Sequence, residues 1–303
     1  MERIAGYGVD TGAVRTDPDR PTGIYFRTAA DRATDAHEVA YYRAGSAASA
    51  MAVDTVDLTA ARAGRVLHLS GITAALSAPC LELMRELTAP RPGRPLISFD
   101  VNHRPALWRD ADGPRVLLEL ARRADIVFVG DDEARDAWGL HGPHAIVEAL
   151  PEPGTVVVKR GGGGATVFAR DTGPAPDGQG GGGGGGGGVA AFPPDTRQAR
   201  DAGGTATFVR PPRVDVVSHI GAGDSFAAGF LSATLRGLSV KDRLRHGHLF
   251  AAAALTTPGD LAAPSTRGHA DRLAALDDTA WGRLRLGPGW TQAERATEEA
   301  NTP

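Results

Sequence analysis

Short runs rich in β-branched residues alternate along this chain with stretches whose apolar residues recur every three to four positions, and this alternation is the strongest constraint on the fold. Residues 66–69, 96–99, 126–129 and 156–158 have the length and apolar content of buried strands. Between them, residues 78–87, 113–123, 132–138 and 144–150 carry helical spacing with Pro or Gly at their edges. Strands that are apolar throughout must be covered on both faces, so the pattern predicts an α/β protein with a mostly parallel sheet between helices. The first fifty residues break the rhythm. Residues 23–27 and 38–43 read as two strands joined by a polar segment, a hairpin outside the main sheet.

With 303 residues the chain is long enough for one large α/β core. A net charge of −3 leaves no electrostatic footprint for nucleic acid or anionic membrane, and the arginines are scattered among acids. Lys159 and Lys241 are the only lysines. Cys80 is the only cysteine, so no intramolecular disulfide forms, and the start lacks the apolar run of a signal peptide. The longest apolar stretch, near residues 250–255, falls far short of a membrane span. Together these features predict a cytoplasmic protein.

The chemistry concentrates in the run Ile220-Gly221-Ala222-Gly223-Asp224-Ser225-Phe226. Residues 214–217 before it are β-rich, and small and apolar residues follow at helical spacing up to Arg236-Gly237. The glycines thus sit where the first amides of a helix lack intrahelical partners and the dipole favours negative charge. Gly221, Ala222 and Gly223 make a candidate anion hole. Asp224, in the first turn, is a candidate base for the proton of an attacking hydroxyl. A glycine turn with a helix-start acid is the plainer reading of the same residues.

Four further segments give the run its context: Gly8-Val9-Asp10-Thr11 with Arg20-Pro21-Thr22-Gly23-Ile24-Tyr25; Tyr41-Tyr42-Arg43-Ala44-Gly45; Asp100-Val101-Asn102-His103-Arg104-Pro105; and Val158-Lys159-Arg160-Gly161-Gly162-Gly163-Gly164. In this order they resemble the PfkB, or ribokinase-like, carbohydrate kinases, especially the branch acting on 2-keto-3-deoxygluconate. The resemblance implies a three-layer α/β/α fold with a small β lid at about residues 22–43, a kinase domain over residues 1–263, and a C-terminal helix and polar tail over 264–303. It implies ATP-dependent transfer to a hydroxyl of a sugar acid, with Asp224 as base. Tyr25, Tyr41, Arg43, Asn102 and Arg104 would surround that substrate, two guanidinium forks favouring an acid over a neutral sugar. Simple strand packing also accounts for the tyrosines. Lys159, Gly161, Gly164, Ala251, Ala254 and Gly259 would line the nucleotide. For these the alternatives are a hairpin turn and a buried alanine helix. Magnesium would arrive with ATP, its water shell ordered by Glu133. The family's lids often pair across a dimer, so a homo-oligomer through the lid is implied as well.

The chain also departs from the family's pattern. Gly130 stands where relatives carry Asn, which leaves Asp131 or Asp132 to substitute. Ser218-His219-Ile220 replaces a carboxylate-bearing segment, an argument against activation by a monovalent cation, and His219 reads as a turn histidine. Only a few residues precede Gly8, so a first strand, a Gly-Gly substrate motif and one lid strand are missing, and the start reads as N-terminally truncated. Residues 171–204 include nine consecutive glycines, Gly180 to Gly188, and read as a flexible insertion. The competing functions are a fructokinase or ribokinase type of the same family and a non-catalytic nucleotide-binding relative.

Overall fold

The computed structural model describes residues 1–27, 39–108, 112–170, 200–201, 204–259 and 261–292. The glycine run 180–188 and the end of the polar tail lie outside them. Backbone contacts divide the chain into two compact units, Met1–Val127 with Arg135–Gly139 and Phe128–Ala134 with Leu140–Pro303.

The first unit contains α1 (Glu2–Ala5), β1 (Ile24–Arg27), β2 (Val39–Tyr42), α2 (Leu58–Arg62), β3 (Val66–Ser70), α3 (Gly71–Leu76), α4 (Ala78–Thr88), β4 (Leu96–Asp100) and α5 (Gly113–Arg122). The chain then forms β5 (Ile126–Gly130) and α6 (Asp131–Trp138), which contribute residues to both units. β3 and β4 pair in parallel, from Val66 opposite Leu96 to Ser70 opposite Asp100. α4 begins where Ser77 accepts the Cys80 amide at 3.2 Å, with Pro in its first turn. Its Leu83, Met84 and Leu87, with Leu117 and Leu120 of α5 and Ile97 and Phe99 of β4, are buried and form a core. The predicted hairpin is present. β1 and β2 are antiparallel, with Tyr25 opposite Tyr41.

The second unit adds α7 (Gly142–Ala149), β6 (Thr155–Lys159), β7 (Ala165–Ala169), β8 (Arg200–Asp201), β9 (Gly204–Val209), β10 (Arg213–Val214), α8 (Ala222–Leu235), α9 (Val240–Leu255), α10 (Arg267–Ala274), α11 (Asp278–Arg283) and β11 (Arg285–Leu286). Here the hydrogen-bonded strand order runs β5-β6-β7-β9-β8. The pairs β6–β7, β7–β9 and β8–β9 are antiparallel. The α/β class is as expected, with an antiparallel edge that the apolar pattern does not announce. β8 and the start of β9 also fall inside residues 171–204, expected to be loop. The backbone donors and acceptors of that stretch are used in pairing.

One expected strand is corrected. Residues 214–217 are not a strand leading into the glycine turn; only Arg213 and Val214 pair, in parallel with β11. Val216 and Val217 are exposed, and the amides of Val217 and Ser218 both donate to Leu255 O, at 2.7 and 3.1 Å. The approach to α8 is thus pinned on the last carbonyls of α9.

α8 and α9 pack closely, and the reason is glycine. A Cβ at Gly229 would stand 2.5 Å from His246 O, and one at Gly247 2.9 Å from the Phe226 ring. Phe226 and Phe230 of α8 meet Phe128 of β5 edge-on, with centroids 6.4 and 5.4 Å away. At the far end of α8, Arg236 donates two bonds to Asp271 of α10, at 2.8 and 2.7 Å, and Gly237 at φ +71° lets the chain turn away. Burial would raise the Asp271 pKa, but hydrogen bonds from Arg236 and His246 outweigh it and hold the carboxyl below its ordinary value.

Candidate active site

In the second unit, Gly221 caps α8 in the left-handed region at φ +73°, a conformation glycine adopts without strain. Helical bonding starts with the Ser225 amide on Gly221 O at 2.9 Å. The amides of Ala222, Gly223 and Asp224 are therefore the leading donors of the helix. Gly223 and Asp224 are exposed. Lys159, at the end of β6, brings Nζ to 3.7 Å from where a Gly223 Cβ would stand. An ammonium and a helix N-terminus thus converge on one spot beside a carboxylate, an arrangement chemically suited to an anion and to accepting a proton.

The turn after Lys159 is a hairpin, 3-10 at Gly161–Gly163, closed by the Arg160 amide on Gly164 O at 2.9 Å. Gly161 at φ +51° and Gly162 have nothing within 4 Å of a would-be Cβ. Gly164, at φ +100°, is pressed against β9, where a Cβ would lie 2.6 Å from Val209 O. One side of the turn is open and the other is bound to the sheet. On α9, Ala251 is half-buried, while Ala254 is buried and fits the plain alanine-helix reading. Gly259 lies in the loop beyond with open space around it.

Glu133 has a defined structural task, its Oε2 accepting the Gly130 amide at 2.9 Å. A Cβ at Gly130 would meet Asp132 Oδ1 at 2.5 Å, whereas Asp131 Oδ1 accepts the Gly142 amide. Of the two proposed substitutes, Asp132 is the one folded back toward the Gly130 position. Among the described residues no group of three or more His, Cys, Asp or Glu side chains is placed to hold a metal ion. Ser218 is buried, its Oγ accepting the Ile220 amide at 3.4 Å, and His219 is exposed on the turn.

In the first unit, Tyr25 and Arg43 are half-buried, and the Arg43 Cγ lies 3.5 Å from a would-be Cβ of Gly23. Tyr41 is placed by register alone, opposite Tyr25. Asn102, just past β4, sits at φ +41°, the one described non-glycine residue with positive φ. Its Nδ2 donates to Ser70 Oγ at 3.2 Å. Strain of this kind persists where the surroundings enforce it. The backbone just before Asn102 runs tightly against Gly71, where a Cβ would fall 2.2 Å from Val101 O. Arg104 is exposed and donates to His103 O at 2.8 Å. Burial pulls the His103 pKa below its ordinary value, against the opposing charge of Asp136 and with that of Arg104.

The family model for pfkB family carbohydrate kinases matches residues 1–267. The chain belongs to that family. It is 29% identical over 273 residues to a 2-dehydro-3-deoxygluconokinase of Bacillus subtilis (strain 168), covering 88% of this chain and 74% of that protein. It is 34% identical over 172 residues to a 2-dehydro-3-deoxygluconokinase of Thermoproteus tenax, covering 55% of this chain and 52% of the relative. Among solved structures it resembles a PfkB protein from Polaromonas sp. JS666, with TM-score 0.66 and 28% identity over 91% of this chain and 78% of that one. The fold is accordingly ribokinase-like, and the chain is an ATP-dependent carbohydrate kinase.

In this pfkB kinase the glycine turn, the α8 start at Gly221 and the place of Asp224 in its first turn lie where the sequence predicts them, while the close contacts that hold these parts do not show in the sequence. Gly71, Gly229 and Gly247 read as ordinary small residues because their need arises only from close approach across elements. The strand expected at 66–69 extends to Ser70, and nothing in the sequence gives His248 a task of its own within its helix. The one signal for His248 was a histidine leading into the apolar run Leu249-Phe250-Ala251-Ala252-Ala253-Ala254.

Proposed function

We propose that this chain transfers the γ-phosphoryl group of ATP to a primary hydroxyl of a 2-keto-3-deoxy sugar acid, with Asp224 as the base. The observation that carries the reading is the convergence of Lys159 and the Gly221 turn on the first turn of α8, beside Asp224. The amides at 222–224 and the Lys159 ammonium hold negative charge on the phosphates, and the open face at Gly161 and Gly162 admits the chain of phosphates without steric conflict. Asp224 accepts the proton of the attacking hydroxyl as that oxygen bonds to phosphorus, and ADP leaves. Magnesium bound with the nucleotide would neutralise phosphate charge. Glu133 and Asp132, which lie at the Gly130 position, would supply the carboxylates on that side.

The sugar acid as acceptor is supported by the names of the relatives and by the residue types on the first unit. Arg43 and Arg104 provide guanidinium groups for a carboxylate, and Tyr25, Tyr41 and Asn102 provide hydrogen-bonding groups for hydroxyls. An ADP-release assay with 2-keto-3-deoxygluconate, fructose and ribose tests this. The acid should be preferred by at least about tenfold in kcat/KM, the worth of one charge-assisted hydrogen bond. Preference for a neutral sugar would overturn the substrate, and no ADP release with any of the three would overturn the kinase mechanism.

A further inference from the structure

α9 carries a buried histidine that the proposed chemistry does not use. His248 is 6% exposed and stands among apolar neighbours. Its Nε2 lies 3.1 Å from Val209 O at the end of β9, and its ring meets Phe226 edge-on with centroids 5.2 Å apart. Both contacts lead to the proposed site. Val209 O is the atom against which Gly164 is pressed, at 2.6 Å from a would-be Cβ, so it forms the floor of the glycine turn. Phe226 is two residues beyond Asp224 on α8, and its ring fits only because Gly247, adjacent to His248, lacks a side chain.

We infer that His248 is a positioning residue whose Nε2–H, held on the Val209 carbonyl, fixes the glycine turn at residues 161–164 relative to the first turns of α8. A carbonyl only accepts, so the proton resides on Nε2 and the tautomer is set. The ring is then oriented in its plane by the hydrogen bond and in its tilt by the Phe226 edge. Burial lowers the His248 pKa to about 4, so the imidazole is neutral at physiological pH and the tie does not change with modest acidification. An apolar side chain of similar size would fill the space and leave the carbonyl unanswered from this side. The turn would then be free to shift by the few tenths of an ångström that phosphate contacts do not tolerate.

This inference rests on the reading of residues 161–164 as the nucleotide turn. The test compares the wild type with His248→Met, which keeps volume and loses the donor, and His248→Gln, which keeps an N–H. ADP affinity is measured by calorimetry and the KM values for ATP and sugar acid by ADP release. His248→Met should weaken ADP binding and raise the ATP KM by about tenfold, the scale of one hydrogen bond, while the sugar-acid KM stays within about twofold. His248→Gln should recover most of the loss. Unchanged ADP affinity in His248→Met, or an equal rise in both KM values, would overturn the inference. Nitrogen NMR of the wild type supplies a readout that needs no variant: His248 should show the Nε2–H tautomer, and an Nδ1–H form would overturn the inference even if His248→Met fails to fold. A wild type that binds ADP but phosphorylates no sugar acid would break the functional reading and leave the ADP comparison intact.

Discussion

Asp224 stands on a helix locked along its length, whereas Tyr25 and Arg43 stand on or beside a two-stranded hairpin. α8 is pressed against α9 through Gly229 and Gly247, wedged by Phe226 and Phe230 and clamped at its end by Arg236 and Asp271. In the β1–β2 hairpin, Ile24, Phe26 and Tyr42 are each more than half exposed. A two-stranded ribbon of four residues per strand has little stability of its own. Phosphoryl transfer needs a base and anion hole that do not move, while recognition of the acceptor tolerates a part that adjusts as it binds. Substitutions on α8 should therefore separate into those that affect chemistry and those that affect stability, while substitutions on the hairpin should appear mainly in the sugar-acid KM.

The largest effect is expected at Asp224. Because this side chain is exposed, Asp224→Asn should leave the melting temperature and ADP affinity near wild type while lowering kcat by at least about a hundredfold, the usual range for losing a general base. Steady-state kinetics beside a thermal melt decide it. A variant with near-normal kcat would remove Asp224 from the mechanism, and one that melts early would mean that the residue serves the helix instead.

The next effect concerns acid. The folded pKa of His248 is depressed by burial to about 4 from 6.5, so on acidification the unfolded chain takes up its proton first. Stability is therefore full above about pH 6.5 and is lost as the pH falls toward 4. Between pH 7 and 5 the loss from this one group is on the order of 2 kcal/mol. Urea melts at the two pH values should show the difference, and His248→Met should flatten it. An unchanged slope in that variant would assign the acid sensitivity to other groups.

On the hairpin side, Arg43→Ala should raise the sugar-acid KM by about tenfold, the worth of a charge-assisted hydrogen bond, with the ATP KM and melting temperature little changed. A rise in the ATP KM instead would contradict the division of labour between the two regions.

The same contrast shows what was legible in the sequence. The strands at 66–70, 96–100, 126–130 and 155–159 and the helices between them could be read because each element carries its own periodicity. The place of Asp224 in the first turn of a helix could be read because a glycine turn, an acid and a helical pattern lie within a dozen residues. What could not be read depends on pairs distant in sequence. Gly229 against His246 O, Gly71 against Val101 O and His248 against Val209 O are each invisible until two elements meet. The β7–β9–β8 edge was missed because it adjoins a glycine-rich stretch that reads as loop, although Thr205, Thr207 and Phe208 suit a strand. Residues 216–217 were misread as strand for the opposite reason: valines suit a strand, but after the Asp215 amide has donated to Leu286 O at 3.0 Å the ladder ends, and the Val217 amide donates to Leu255 O instead.

The smallest expected effect lies on the outer face of the hairpin. Phe26 alternates with Tyr25 along β1, so the two side chains point to opposite faces. Phe26 meets Tyr42 edge-on at 5.7 Å, but the two are 61% and 62% exposed, so most of each ring gains nothing from burial. An exposed aromatic pair sits at the weak end of such interactions, and Phe26→Ala should change stability by less than about 1 kcal/mol. Because Tyr25 keeps its own face, the sugar-acid KM should remain near wild type. Thermal melts and steady-state kinetics on this variant, set beside Arg43→Ala, sharpen the comparison by separating the two faces of one ribbon. A loss of several kcal/mol would mean that Phe26 is covered in solution by something that buries this face, and the hairpin would then be as fixed as α8.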